Sequence, residues 1–123
     1  MSEIKIDNPD WLVSQQVKQI LGQAVNQLGL EASMDEIHVE HPVEADHGDY
    51  ASNLALAKFK KFKSSNTQIF EKVKSPLELA QLIAAEISSI INHQSSIIDK
   101  VEAKQPGFIN FFLNEHFLLS QAI

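Results

Sequence analysis

Apolar residues recur at steps of three and four along the first quarter of the chain: Val13, Val17, Ile20, Leu21, Ala24 and Leu28. That is the period of one helix face. Asn8-Pro9-Asp10 supplies the start signals: an amide to cap, proline at the first helical position, an acid in the first turn. Gly29 supplies the stop. The spacing predicts a helix over residues 9–28. The period then changes to two. Ile37, Val39 and His41 alternate with His38 and Glu40, which predicts a short strand ending before Pro42. Gly48, between His47 and Asp49, marks a tight turn, and Tyr50 and Ala51 form a second short strand. Ser52 or Asn53 caps a helix that carries Leu54, Ala55, Phe59 and Phe62. Residues 58–74 are the least regular: a helix end, a polar loop, then one further helical turn.

Ser75-Pro76-Leu77-Glu78 restores order. Serine caps, proline takes the first position, and the glutamate completes a capping box. The helix it opens carries Leu79, Leu82, Ile83, Ile87, Ile90 and Ile91 and ends near Asn92. Residues 97–103 and 108–113 read as strands around Pro106-Gly107. Side chains alternate faces along a strand. Ile109, Phe111 and Leu113 therefore share an apolar face, and Phe108, Asn110 and Phe112 share the other. A two-residue loop would place Ala103 opposite Asn110, on the wrong side. A one-residue slip flips every side chain. The loop is therefore expected to be of odd length, or to carry a bulge, so that Val101 and Ala103 join Ile109 and Phe111.

Helices grouped between strands predict an α+β fold: a two-layer antiparallel sheet of about four strands with helices packed on one face. Residues 1–113 are read as a single domain. "NEHFLLSQAI" at 114–123 reads as the start of a linker helix, because it stops while still apolar.

Composition narrows the function classes. There is no cysteine, which removes disulfides and thiolate metal sites. No basic n-region or unbroken apolar stretch opens the chain, so a cytoplasmic setting without membrane is expected. Net charge is −6, with ten basic residues, every one a lysine. Arginine is the side chain best built for bidentate phosphate contacts. The balance argues against strong nonspecific nucleic-acid binding.

Local features remain. On the ring–amide–ring face, Phe108 and Phe112 could stack on unpaired bases while Asn110 offers a donor and an acceptor. The alternative is that the rings cover a second buried face and Asn110 bonds to backbone.

A resemblance bears on that choice. "VEAKQPGFINFFL" at 101–113 resembles the segment that closes the N-terminal additional domain of arginyl-tRNA synthetases, and "HGDYASNLAL" at 47–56 and "SPLELAQLIAAEI" at 75–87 are similar to two earlier stretches of it. The resemblance implies an α+β module that docks on the D-loop corner of tRNA. It implies that Phe108 and Asn110 contact an unpaired base, with Gln105, just before the turn, assisting. It also implies a parent arginine–tRNA ligase that joins L-arginine to tRNA with ATP and Mg²⁺, in a catalytic domain outside these residues. Two departures stand out. Gln105 occupies a position where many members carry glycine, and the stretch around residues 61–74 is longer than usual.

The remaining constellations are weaker. Lys58, Lys60, Lys61, Lys63, Lys72 and Lys74 gather six of the ten lysines, either as a solvated helix end or as a phosphate-contacting edge. His41, Glu44, Asp46, His47 and Asp49 lie close together without established metal spacing. They are read as a turn, with no metal expected. No nucleophile elbow, P-loop or synthetase ATP signature occurs, so no catalytic residue is expected in this stretch. The expected state is a monomer. A protein–protein module using an exposed Phe108/Phe112 face is the alternative reading.

Overall fold

A computed structural model describes residues 9–65, 68–93 and 97–114. The apolar stripe of the first helix, α1 (Pro9–Gln27), lies inside except at its end, where Leu28 is half-buried: Val17, Leu21, Ala24 and Val25 are sealed from solvent. α1 ends where Gly29 takes a positive φ of 81°. The Gly29 N–H then bonds the Asn26 carbonyl at 3.0 Å and the Leu30 N–H the Val25 carbonyl at 3.0 Å. This pair of bonds satisfies the last carbonyls, and buried Leu30 and Val25 supply the accompanying apolar contact. The predicted cap at Asn8 and the predicted linker helix beyond Asn114 lie outside the described residues.

β1 (Tyr50–Ser52) leads into α2 (Leu54–Ser65), whose first turn is held by the Ser52 hydroxyl accepting the Leu54 N–H at 3.2 Å. α3 (Pro76–His93) opens at the predicted residues, with the glutamate's return bond made one residue further out than the expected capping box places it. The Ser75 hydroxyl accepts the Glu78 N–H at 3.2 Å, and the Glu78 carboxylate reaches back to the Lys74 N–H at 2.6 Å. Its buried residues Leu79, Ile83, Ile87 and Ile90 fall on one stripe.

β2 (Ile98–Lys104) and β3 (Phe108–Leu113) form the hairpin. Strand order is β1-β3-β2, all antiparallel, so β3 is central. Residues 105–107 make a three-residue loop between Lys104 and Phe108, which pair directly, and the Gln105–Pro106 peptide is cis. Val101 stands opposite Phe111 and Ala103 opposite Ile109. That is the register the alternation demands. A local irregularity lies between Ile98 and Lys100. Ile109, Phe111, Leu113 and Val101 join the helices in one core with Leu21, Leu54, Phe62 and Ile83.

The sheet has three strands among the described residues, not four. Residues 37–41 do not form a strand. A 3-10 turn at Met34–Glu36 precedes them, and a single bridge links Glu40 to Ala51. Ile37 is fully buried because its tip lies against Gly22 of α1. Of the alternating set only Ile37 is buried, while Val39 is half-buried and His41 exposed, so the period of two here marks one side chain covered by α1 and not a ladder.

Candidate nucleic-acid interface

The hairpin end and the loop before β1 enclose a cleft of about 370 Å³ on the sheet face away from the helices. That is within the range of small-ligand sites. One side is built from the hairpin: Lys104, Gln105, Phe108 and Asn110. The other is built from Glu40, Pro42, His47 and Ala51.

One backbone bond and one side-chain bond fasten the second wall to β3. The Asp49 N–H donates to the Phe111 carbonyl at 2.8 Å, and the Asp49 carboxylate accepts the Leu113 N–H at 2.8 Å. Gly48 makes this approach possible. Its φ is 95°, and a Cβ there would sit 2.6 Å from the Phe111 carbonyl oxygen. Behind the wall, Tyr50 is buried and its hydroxyl donates to the Asp10 carboxylate. His41 bridges the same carboxylate at 2.7 Å and the Asp49 carbonyl at 2.9 Å. The hydrogen bond from Tyr50, ahead of those from His41, lowers the Asp10 pKa. The bond to Asp10 raises His41, and burial raises Tyr50. The His-Gly-Asp-Tyr stretch is thus the turn that the sequence suggested.

Asn110 is the unusual member. It points away from the helices, as alternation requires, yet it is only 2 % exposed. The expectation that it stands on an open outer face is corrected: Ala51 pairs beside it on one side and Glu102 on the other, and the 40–51 segment folds over it. Among the described residues, no protein group hydrogen-bonds its side-chain amide. Neither amide atom is sealed off without a partner, so both open onto the cleft. The amide thus presents a donor and an acceptor to the cleft, with no competing protein partner among the described residues.

Phe108 is half-buried beside it, and Gln105 is exposed at the rim. Phe112 is also half-buried, with the Lys100 ammonium 4.6 Å from its ring centre. The ring–amide–ring face is therefore not an open apolar patch. Phe108 lines the cleft, Phe112 does not, and the protein–protein alternative loses the exposed surface it needed.

None of the six clustered lysines lines the cleft. Lys58 and Lys61 converge on Glu36, the former at 3.5 Å, and Lys61 first of all draws the Glu36 carboxyl down to about 2. Lys60, Lys63, Lys72 and Lys74 are exposed. The lysine that does line the cleft is Lys104. Its place opposite Phe108 follows from the hairpin register and was legible there. Glu40 had no comparable signal.

Of the acidic and histidine cluster, Glu44, Asp46 and His47 gather their ligand atoms within 4.8 Å of one another, all exposed. His47 lies 3.4 Å from Glu44. His41 and Asp49 are engaged elsewhere, as described above. No helix among the described residues is long and apolar enough to cross a membrane.

Sheet, helices and cleft together define a small α+β module with a ligand-sized cleft on the sheet face away from the helices. The chain matches the arginyl tRNA synthetase N terminal domain family over residues 15–113, and it belongs to that family. It is 33 % identical over 110 residues to an arginine–tRNA ligase of Caldanaerobacter subterraneus, covering 85 % of this chain and 17 % of the relative. It is 34 % identical over 110 residues to the arginine–tRNA ligase of Shewanella loihica, covering 89 % and 16 %. The chain thus spans about one sixth of the length of these curated relatives. The same fold occurs in the Plasmodium falciparum arginyl-tRNA synthetase, with TM-score 0.66, 15 % identity, and 88 % of this chain and 17 % of that one covered. It occurs also in the Thermus thermophilus enzyme, with TM-score 0.63, 21 % identity, and 89 % and 15 % covered.

Proposed function

We propose that this domain is the tRNA-holding N-terminal part of an arginine–tRNA ligase and that its cleft receives an unpaired base from the D-loop corner. In this reading Phe108 stacks on the base, Asn110 pairs with its edge, and Gln105 closes the rim. Stacking of a base on an aromatic ring contributes roughly 1–3 kcal/mol. A good bidentate amide pairing adds about 1–3 kcal/mol of discrimination. Exposed lysines 60, 63, 72 and 74 would lie along the phosphate backbone and position it. Attachment of L-arginine with ATP and Mg²⁺ belongs to the catalytic part of such an enzyme, whose signatures do not occur in this sequence.

The observation that carries the reading is the Asn110 amide, 2 % exposed, open only onto the cleft and without a hydrogen-bond partner among the described residues, next to the half-buried ring of Phe108. Each amide atom keeps access to the cleft, so water satisfies it in the free domain, and a ligand edge with a matching acceptor and donor replaces that water. Chemical footprinting of an arginine tRNA with this chain tests the proposal: protection at unpaired D-loop nucleotides is expected, and protection confined to other regions, or none, refutes it.

A further inference from the structure

Resting on that reading, we infer that Lys104 is the phosphate-contacting residue of the cleft and that it fixes which way the nucleotide enters. On the outer sheet face, β3 presents Phe108, Asn110 and Phe112. Directly paired with them on β2 stand Lys104, Glu102 and Lys100. Glu102 is the acid shared by both lysines: Lys100 lies 3.3 Å from one of its oxygens and Lys104 3.7 Å from the other. Two ammonium groups on one carboxylate leave this strip with a surplus positive charge. Lys100 is also committed to the Phe112 ring. Lys104 has the longer ion contact, a half-exposed side chain, and a place in the cleft lining.

The opposite wall carries Glu40, an anion. A phosphate is repelled there and attracted on the β2 side. The backbone therefore runs over Lys104, and the base edge points inward to Asn110 with Glu40 beyond it. A carboxylate in that position accepts from an amino or imino N–H of a base. Lys58 and Lys61, though part of the lysine-rich stretch, are held by Glu36 and do not line the cleft.

Binding of the 123-residue chain to an arginine tRNA is measured across a salt series, for wild type, Lys104→Gln, Glu102→Gln and Asn110→Ala. Loss of one phosphate contact lowers the slope of log K against log salt by about 0.7–1. Lys104→Gln is expected to show that change and to weaken binding about two- to fivefold at low salt, the range of an exposed charge contact. Glu102→Gln frees both lysines and is expected to tighten binding. Asn110→Ala is expected to weaken binding with the slope unchanged. A wild-type slope in Lys104→Gln overturns the phosphate assignment even if Asn110→Ala behaves as expected. No effect of Asn110→Ala overturns the base-reading proposal instead, so the two failures are distinct.

Discussion

Replacing Asn110 by leucine should make the free domain more stable and less able to hold tRNA. The amide lies in the middle of the central strand with 2 % of its surface exposed and no protein partner among the described residues. An unpaired buried amide costs about 1–3 kcal/mol relative to an apolar group of the same shape. Its atoms still touch the cleft, so partial hydration places the figure at the lower end, about 1 kcal/mol. Asparagine is also disfavoured in strands, which adds in the same direction. Leucine is close in shape, and the cleft leaves room for its slightly larger tip. For a domain of this size the gain corresponds to a Tm rise of about 3–5 °C. Thermal and urea unfolding followed by far-UV circular dichroism measure it. A loss of about 1 kcal/mol or more in Asn110→Leu would show that the amide holds the fold together, and the argument for a waiting ligand partner would fall. A gain in stability together with undiminished tRNA binding would separate the amide from recognition and refute it equally.

Gly48→Ala should destabilise by about 2–4 kcal/mol, combining a left-handed backbone with a Cβ 2.6 Å from the Phe111 carbonyl oxygen; wild-type unfolding behaviour would contradict the account of how the wall is fastened. His41 should titrate above the ordinary 6.5, because Asp10 accepts its hydrogen bond. A raised folded pKa means that the Asp10–His41 link stabilises fully below the unfolded pKa and is lost as pH rises through the folded one. NMR titration of the ring checks this: Asp10→Asn should lower the midpoint, and an unchanged midpoint would refute the assignment.

Much of this fold was legible because its signals are local. Steps of three and four fixed α1 and α3 to within about a residue of Pro9–Gln27 and Pro76–His93. Gly29 and Ser75-Pro76-Leu77-Glu78 marked their ends through bonds made within a few residues. Alternation also fixed the hairpin register and the odd loop, since any other pairing would send Ala103 to the wrong face. Residues 37–41 misled because a covered side chain and a paired backbone leave the same trace; Ile37 is buried by α1, with Glu40 alone bridged to Ala51. The burial of Asn110 was not legible for a related reason. Alternation names the face a residue points to, whereas the wall over it comes from residues some sixty positions earlier, fastened by Asp49 to Phe111 and Leu113. The lysine run is dense, yet Lys58 and Lys61 are answered by Glu36, from a separate turn of the chain. Lys104, isolated in sequence, is the one the fold brings to the cleft.

The most direct test of the central claim is the D-loop footprint compared between wild type and Asn110→Ala. The account predicts that wild-type chain protects an unpaired D-loop nucleotide and that Asn110→Ala loses that protection while remaining folded by circular dichroism. Equal protection by both proteins, or protection that avoids the D-loop altogether, would contradict it.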